Sequence, residues 1–353
     1  MSFVRPHIVS MQGYVPGEQP RGQELVKLNT NENPYPCSPT VKAAIGRVLQ
    51  LGLQRYPDPL ATEFRQRAAE LHAHELPGIT PDWILCGNGS DDLLTIITRT
   101  LVGEGDMLRF PRPSYVLYDT LAAIQGARTD VVNYQSDWTL GADFIRPVER
   151  LRLAFLANPN SPTGTALSCD QVRQLAAELP CPLVVDEAYA DFAEGNCLPL
   201  VAENERVLVT RSLSKSYALA GLRFGYVVAQ PRLIAQLAKV KDSYNCDALS
   251  IAGATAAIDD RAWFARTREA ILATRARLTA ELRRLGFDCL DSQANFVWAR
   301  RPGADVRSLA QQLKAAGVLV RYMKYPDWGD GLRISVGDDR QIDLLLDRLE
   351  ALL

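Results

Sequence analysis

Val207-Leu208-Val209-Thr210-Arg211-Ser212-Leu213-Ser214-Lys215-Ser216-Tyr217-Ala218-Leu219-Ala220-Gly221-Leu222-Arg223-Phe224-Gly225-Tyr226-Val227-Val228-Ala229 is the stretch from which this chain is read outward. Its two ends are apolar and β-branched, so each reads as a buried strand, and the polar middle is a strand-to-strand connection carrying one lysine among hydroxyls. Lys215 is then either an ordinary surface lysine or a nucleophile held toward the interior. Lysine is rarely buried without a partner or a task, so the surrounding chain has to decide.

Upstream, strand and helix patterns alternate. Trp83-Ile84-Leu85-Cys86 is a short buried strand, broken by Gly87-Asn88-Gly89-Ser90-Asp91-Asp92 before a helix over 93–101. Glycines ending a strand where a helix must start gather free backbone N–H groups at a positive dipole end. That is a phosphate-binding geometry, or a plainly capped helix. Strands are predicted at 107–110, 129–132 and 151–157, the last stopping at Asn158-Pro159-Asn160-Ser161-Pro162-Thr163-Gly164. A helix over 168–179 precedes Leu183-Val184-Val185-Asp186-Glu187-Ala188-Tyr189. The acidic pair ends a buried strand, where a carboxylate loses solvation unless a cation or donor faces it. It is a ligand group, a helix cap or half of an internal salt bridge.

Alternating strands and helices predict an α/β fold whose large domain has a mostly parallel central sheet flanked by helices. Functional groups in such sheets gather at the carboxyl ends of the strands. After a helix over 231–241, a small-residue helix near 250–258 and a long amphipathic helix over 261–285, the remainder reads as a compact α+β unit. Residues 1–30, with Pro6, Gly13, Pro16, Gly17, Pro20 and Gly22, read as an extended N-terminal arm. The expected domains are therefore the arm over 1–30, a large domain over 31–245 and a small C-terminal domain over 246–353.

The 353 residues are ample for a full core. Against 41 Asp and Glu stand 39 Lys and Arg, a formal charge of -2, so there is no basic surplus for nucleic acid or an acidic membrane. Seven scattered cysteines without a Cys-x-x-Cys spacing fit reduced thiols better than disulfides or a metal site, and no metal is expected. No signal-peptide core is seen at the start, and no apolar run approaches the roughly 20 residues of a membrane helix. A cytoplasmic protein is the expectation.

Side by side, Lys215, Asp186, Tyr189, Asn160, the Gly89-Ser90-Asp91 loop, Ser212, Ser214 and Arg223 form a consistent set for pyridoxal 5'-phosphate (PLP). That cofactor needs a lysine for covalent attachment and a carboxylate at its ring nitrogen, here Lys215 and Asp186. It needs a donor at its phenolic oxygen, for which Tyr189 and Asn160 are suitable. Backbone N–H groups at Ser90 and Asp91, the hydroxyls of Ser212 and Ser214 and the Arg223 guanidinium supply a phosphate cradle.

With those residues in view, the chain resembles the fold-type I aminotransferases of class I/II, most closely the histidinol-phosphate aminotransferase family. The matching motifs run nearly end to end: Leu28-Asn29-Thr30-Asn31-Glu32-Asn33-Pro34, Arg55-Tyr56-Pro57, Gly87 to Asp91, Pro159 to Gly164, Asp186 to Tyr189, Ser212 to Lys215 with Gly221-Leu222-Arg223, Asn295-Phe296, and Leu332-Arg333-Ile334-Ser335-Val336-Gly337. The resemblance implies that Tyr115 stacks on the cofactor ring and that Tyr56 reaches the cofactor phosphate of a neighbouring subunit in an obligate homodimer. It implies that Lys215 moves the proton in a ping-pong transamination of L-histidinol phosphate with 2-oxoglutarate. Tyr14, Asn33, Arg321 and Arg333 are expected at the substrate, the two arginines holding a carboxylate in one half-reaction and a phosphate in the other. One departure stands out: the family commonly has a second asparagine where this chain has Ser161, so either Asn160 or Ser161 meets the ring oxygen, with Asn160 expected. Runner-up activities are an aromatic amino acid aminotransferase, a threonine-phosphate decarboxylase, or a catalytically silent binding module of the same fold.

Overall fold

The computed structural model describes residues 3–14, 16–20 and 25–353. Residues 1–2, 15 and 21–24 of the expected arm, Gly22 among them, lie outside the described residues. In chain order the strands are β1 Val26–Leu28, β2 Ile84–Gly87, β3 Met107–Arg112, β4 Arg128–Asn133, β5 Leu151–Ala157, β6 Leu183–Asp186, β7 Val207–Ser212, β8 Gly225–Val228, β9 Asp288–Cys289, β10 Phe296–Arg300, β11 Val318–Tyr325 and β12 Gly329–Ser335.

The first sheet has seven strands in the order β2-β8-β7-β6-β5-β3-β4. All neighbours are parallel except β8, which runs antiparallel to both β2 and β7. Because helices cover both faces, its strands are apolar on both sides. Along β6, Leu183 and Val185 enter one core and Val184 the other; Val207 and Val209 of β7 likewise part from Leu208. Register sets the strand ends level: Ala157 pairs with Asp186, and Asp186 with Thr210. The groups meant for chemistry therefore emerge together along one edge.

The second sheet has five strands in the order β1-β11-β12-β10-β9, backed by the helices Arg261–Arg284, Val306–Ala315 and Asp339–Leu352. Its first strand comes from the far end of the chain: Val26, Lys27 and Leu28 pair in parallel with Val318, Leu319 and Val320. The end of the expected arm is thus a strand of the small domain, with Leu28 fully buried in its core.

The division after residue 245 shifts as well. The helix Ala248–Asp259 packs on the helices Pro39–Leu51 and Thr62–His72, and its Ala254, Ala257 and Ile258 belong to the core of the large sheet. The chain leaves that core at Asp260, which caps the long helix through its bond to the Trp263 N–H.

Candidate active site

One cavity of about 230 Å³ is lined by residues of both domains, most of the singled-out residues among them. From the large domain come Ser90, Asp91, Tyr115, Asp186, Tyr189, Ser212, Ser214, Lys215 and Arg223; from the small domain and arm come Tyr14, Arg321 and Arg333.

One end is a cradle. The helix Ser90–Leu101 starts at Ser90, three residues earlier than the apolar pattern implies, so Ser90 and Asp91 occupy its first turn, where N–H groups have no intrahelical partner. Gly89 precedes them at φ 86°, and a Cβ there would stand 2.5 Å from the Arg223 Nη2 atom. A Cβ on Gly225 would stand 2.9 Å from the Ser90 nitrogen. Both glycines keep side chains out of a space bounded by helix N–H groups and a guanidinium. Arg223 donates to Ser214 Oγ at 3.2 Å and lies 3.5 Å from Asp91 Oδ2, and the Ser214 N–H donates to Ser212 Oγ. Amides, hydroxyls and one cation around an open concavity are the donor set for a phosphate.

In the middle, Lys215 Nζ donates to the Thr30 carbonyl at 3.1 Å. Burial, with the Arg333 guanidinium adding to it, brings its pKa down to about 8, so its neutral, nucleophilic form is accessible near neutral pH. Asp186 accepts from the Tyr118 hydroxyl at 2.9 Å and from Thr210 Oγ1 at 3.2 Å. Burial pushes its pKa up to about 6 despite those two donors. A carboxylate this desolvated gains most from a cationic partner, and none of the described residues forms a salt bridge with it. Its sequence neighbour Glu187 turns the other way and pairs with Arg211 at 2.8 Å. Of the readings open for the acidic pair, the internal salt bridge belongs to Glu187, and Asp186 is left as the candidate ligand group. Tyr115 donates to Asp91 Oδ1 at 3.1 Å and sits edge-on to Tyr14.

At the far end Arg321 and Arg333 are direct partners across β11 and β12. Like charges opposite each other repel, which an anion between them relieves. Arg333 donates to Ser161 Oγ at 2.9 Å and to the Asn29 carbonyl at 3.1 Å; among the described residues its Nε has no hydrogen-bond partner.

Two expectations are corrected, those for Asn160 and Asn33. The Asn160 amide nitrogen is already spent on the Pro113 carbonyl and Thr163 Oγ1, and its free atom is Oδ1, an acceptor, so it cannot donate to a ring oxygen. Reversing the amide would set Oδ1 against the Pro113 carbonyl. Ser161, not Asn160, lines the cavity. Asn33 lies beneath the site, donating to the carbonyls of Lys215 and Ser216 and so fixing the lysine-bearing loop. Tyr56 is exposed, stacks on Tyr244 at 4.4 Å and lies apart from this chain's own cavity. Tyr118, Thr210 and Asn31 were not singled out by sequence; the signal for Tyr118 was its three-residue spacing from Tyr115, which stands just ahead of the helix Leu117–Gln125.

A lysine of lowered pKa, a carboxylate in want of a cation, a phenol beside them and a phosphate cradle make a site suited to amino-group chemistry on a phosphorylated carbonyl cofactor. The chain belongs to the aminotransferase class I and II family, whose model matches residues 23–349. It is 55% identical to the histidinol-phosphate aminotransferase of Rhodopirellula baltica, over 98% of this chain and 94% of that protein. It is 44% identical to histidinol-phosphate aminotransferase 1 of Nostoc sp., over 100% of this chain and 98% of that one. Among solved structures, the histidinol-phosphate aminotransferase of Sinorhizobium meliloti in complex with pyridoxal-5'-phosphate superposes with a TM-score of 0.89 at 27% identity, covering 100% of this chain and 99% of that one. A Thermus thermophilus aspartate aminotransferase shares the fold at a TM-score of 0.84 and 22% identity.

Proposed function

We propose that the chain is a PLP-dependent aminotransferase that moves the amino group of L-histidinol phosphate to 2-oxoglutarate, giving imidazole acetol phosphate and L-glutamate, a step of histidine biosynthesis. The observation that carries this reading is the pairing of Arg321 and Arg333 in a cavity that already holds a separate phosphate cradle at Arg223. Two anion seats flank one lysine: one for the cofactor, the other for a substrate phosphate or carboxylate.

PLP, when bound, supplies an electron sink for the pair left as a proton departs from the substrate. Ser90, Asp91, Ser212, Ser214 and Arg223 would hold its phosphate, Asp186 its ring nitrogen and Tyr189 its phenolic oxygen. Lys215 Nζ, brought to about 8 by burial, accepts the proton from the amine-bearing carbon and returns it. Tyr118 and Thr210 hold the two oxygens of the Asp186 carboxylate in place. Arg333, anchored by Ser161 and Asn29, offers its remaining N–H groups with Arg321 to the substrate anion.

The exposed Tyr56–Tyr244 stack, with Leu49, Leu51 and Leu53 also exposed nearby in sequence, supports a homodimer in which Tyr56 serves the other subunit's site. All seven cysteines are free, in keeping with a cytoplasmic setting, and among the described residues no helix is long and apolar enough to cross a membrane. The test is a donor panel with PLP and 2-oxoglutarate, following glutamate. Histidinol phosphate should be the best of histidinol phosphate, phenylalanine and tyrosine. An aromatic amino acid in first place, or carbon dioxide released from threonine phosphate without glutamate, would overturn the assignment.

A further inference from the structure

The geometry points to Asn31 as a positioning residue that sets the direction of the Tyr189 phenol proton, and so decides whether that phenol can donate to a bound cofactor. The inference rests on the reading of the cavity as a PLP site.

Asn31 is 1% exposed and holds a left-handed backbone at φ 56°, a conformation asparagine tolerates better than most side chains. Its backbone N–H donates to Ser335 Oγ at 2.8 Å, and Ser335 Oγ donates to Asn31 Oδ1 at 3.1 Å. Asn31 Nδ2 then donates to the Tyr189 hydroxyl at 2.9 Å, while Asn295 Nδ2 ties down the Asn31 carbonyl at 3.0 Å. Every polar atom of Asn31 is engaged.

The donor inventory admits one low-energy arrangement. Were the amide reversed, Ser335 Oγ would face two donors and its own proton would have no acceptor. Oδ1 would also face Tyr189 and take the phenol proton away from the cavity. In the observed arrangement Tyr189 accepts from Asn31, and among the described residues the phenol donates to no other group. Its proton is left for the cavity, and accepting one hydrogen bond makes the phenol a better donor of the next. Ser335 lies two residues beyond Arg333 on β12, so the strand that carries the anion-binding guanidinium also orients this relay.

The test is an absorbance titration of the PLP-loaded protein, following the pH midpoint of its visible band. A donor at the ring oxygen stabilises that oxygen as an anion, so the proton of the cofactor–lysine unit leaves at lower pH. Asn31→Gly removes the amide yet keeps the left-handed backbone free of strain. It should raise the midpoint by about half a unit or more, toward that of Tyr189→Phe, and add no further shift in the Tyr189→Phe background. Ser335→Ala should shift the midpoint the same way by less. An unchanged midpoint in Asn31→Gly, or an equal shift in both backgrounds, would overturn the role of Asn31 alone. A wild-type protein without a visible band on PLP addition would overturn the cofactor reading, and this inference with it.

Discussion

The Tyr118 hydroxyl donates to Asp186 Oδ2 at 2.9 Å from a fully buried ring that stacks on Phe155. A tyrosine three residues past the cavity-lining Tyr115 thus secures the carboxylate proposed to face the cofactor's ring nitrogen. Tyr118→Phe keeps the packing and deletes one of two side-chain donors to Asp186. It should raise the Asp186 pKa further and cut turnover roughly tenfold, since a hydrogen bond to a charged group is worth about 1.5–3 kcal/mol. Steady-state kinetics with the PLP content of each preparation measured alongside checks it; unchanged turnover would leave Thr210 as the controlling donor.

Asp186 also gives the cofactor-free protein a pH signature. Its carboxyl is pushed up to about 6 by burial, so the folded state holds a proton that the unfolded state has already released between about 4 and 6. Stability drawn from the protonated form is complete below about 4 and is lost as pH rises through about 6. Asp186→Asn should therefore gain on the wild type by roughly 3 kcal/mol across that window and hold the difference above it. Denaturant unfolding of both proteins without PLP, from pH 4 to 8, measures the gap; a flat difference contradicts it.

Lys215 should reveal its environment to an amine-selective acylating reagent. In the cofactor-free protein its labelling should rise with a midpoint near pH 8, well below that of surface lysines, because burial and then Arg333 disfavour the charged form. In Arg333→Leu the midpoint should move upward. Peptide-resolved mass spectrometry reads both, and a midpoint at the ordinary lysine value would mean that the amine is solvated.

Arg333→Lys should separate substrate binding from cofactor binding. A point charge cannot keep the bonds to Ser161 Oγ and the Asn29 carbonyl and still present a fork to an anion. KM should rise by about tenfold or more for both histidinol phosphate and 2-oxoglutarate, with PLP affinity unchanged. A rise for one substrate only would assign the other anion to Arg321.

Arg211 tests the buried ionic pair behind the lysine loop. It lies 2.8 Å from Glu187 Oε2 and 3.1 Å from Asp191 Oδ1, and Asp191 in turn accepts from Ser216 Oγ, next to Lys215. Arg211→Leu leaves the fully buried Glu187 without its cation and should destabilise the fold by about 3–5 kcal/mol. Adding Glu187→Leu should recover much of that loss, as seen by thermal unfolding.

What could be read from the chain itself divides along a physical line. That Lys215, Asp186 and Arg223 meet in one cavity was legible because each lies at or within three residues of the end of an apolar strand, and strand ends follow from hydrophobic pattern. Asn160 was misread because the choice between its nitrogen and its oxygen depends on the Pro113 carbonyl, which only tertiary structure brings near. The helix Ala248–Asp259 was assigned to the wrong domain because it is built of small apolar residues on most sides and so carries no marker of which core it joins. Asn31 lay hidden in a run of turn-forming residues whose composition suggests a loop but not a relay.

The pairing of β1 with β11 brings residues 26 and 318 side by side. For a chain made from one end to the other, this orders assembly in time. The seven-stranded sheet is complete in sequence by Val228, so it can collapse while the rest of the chain is still being added. Its lysine then waits: the strand that delivers Thr30 and Asn31 has nothing to pair with until β11 emerges. Contacts of such separation form slowly, because loop closure has to precede them. The amino-group site is thus completed only once β11 is in place, and a chain cut short before β11 would lack the strand that holds Thr30, the acceptor of Lys215.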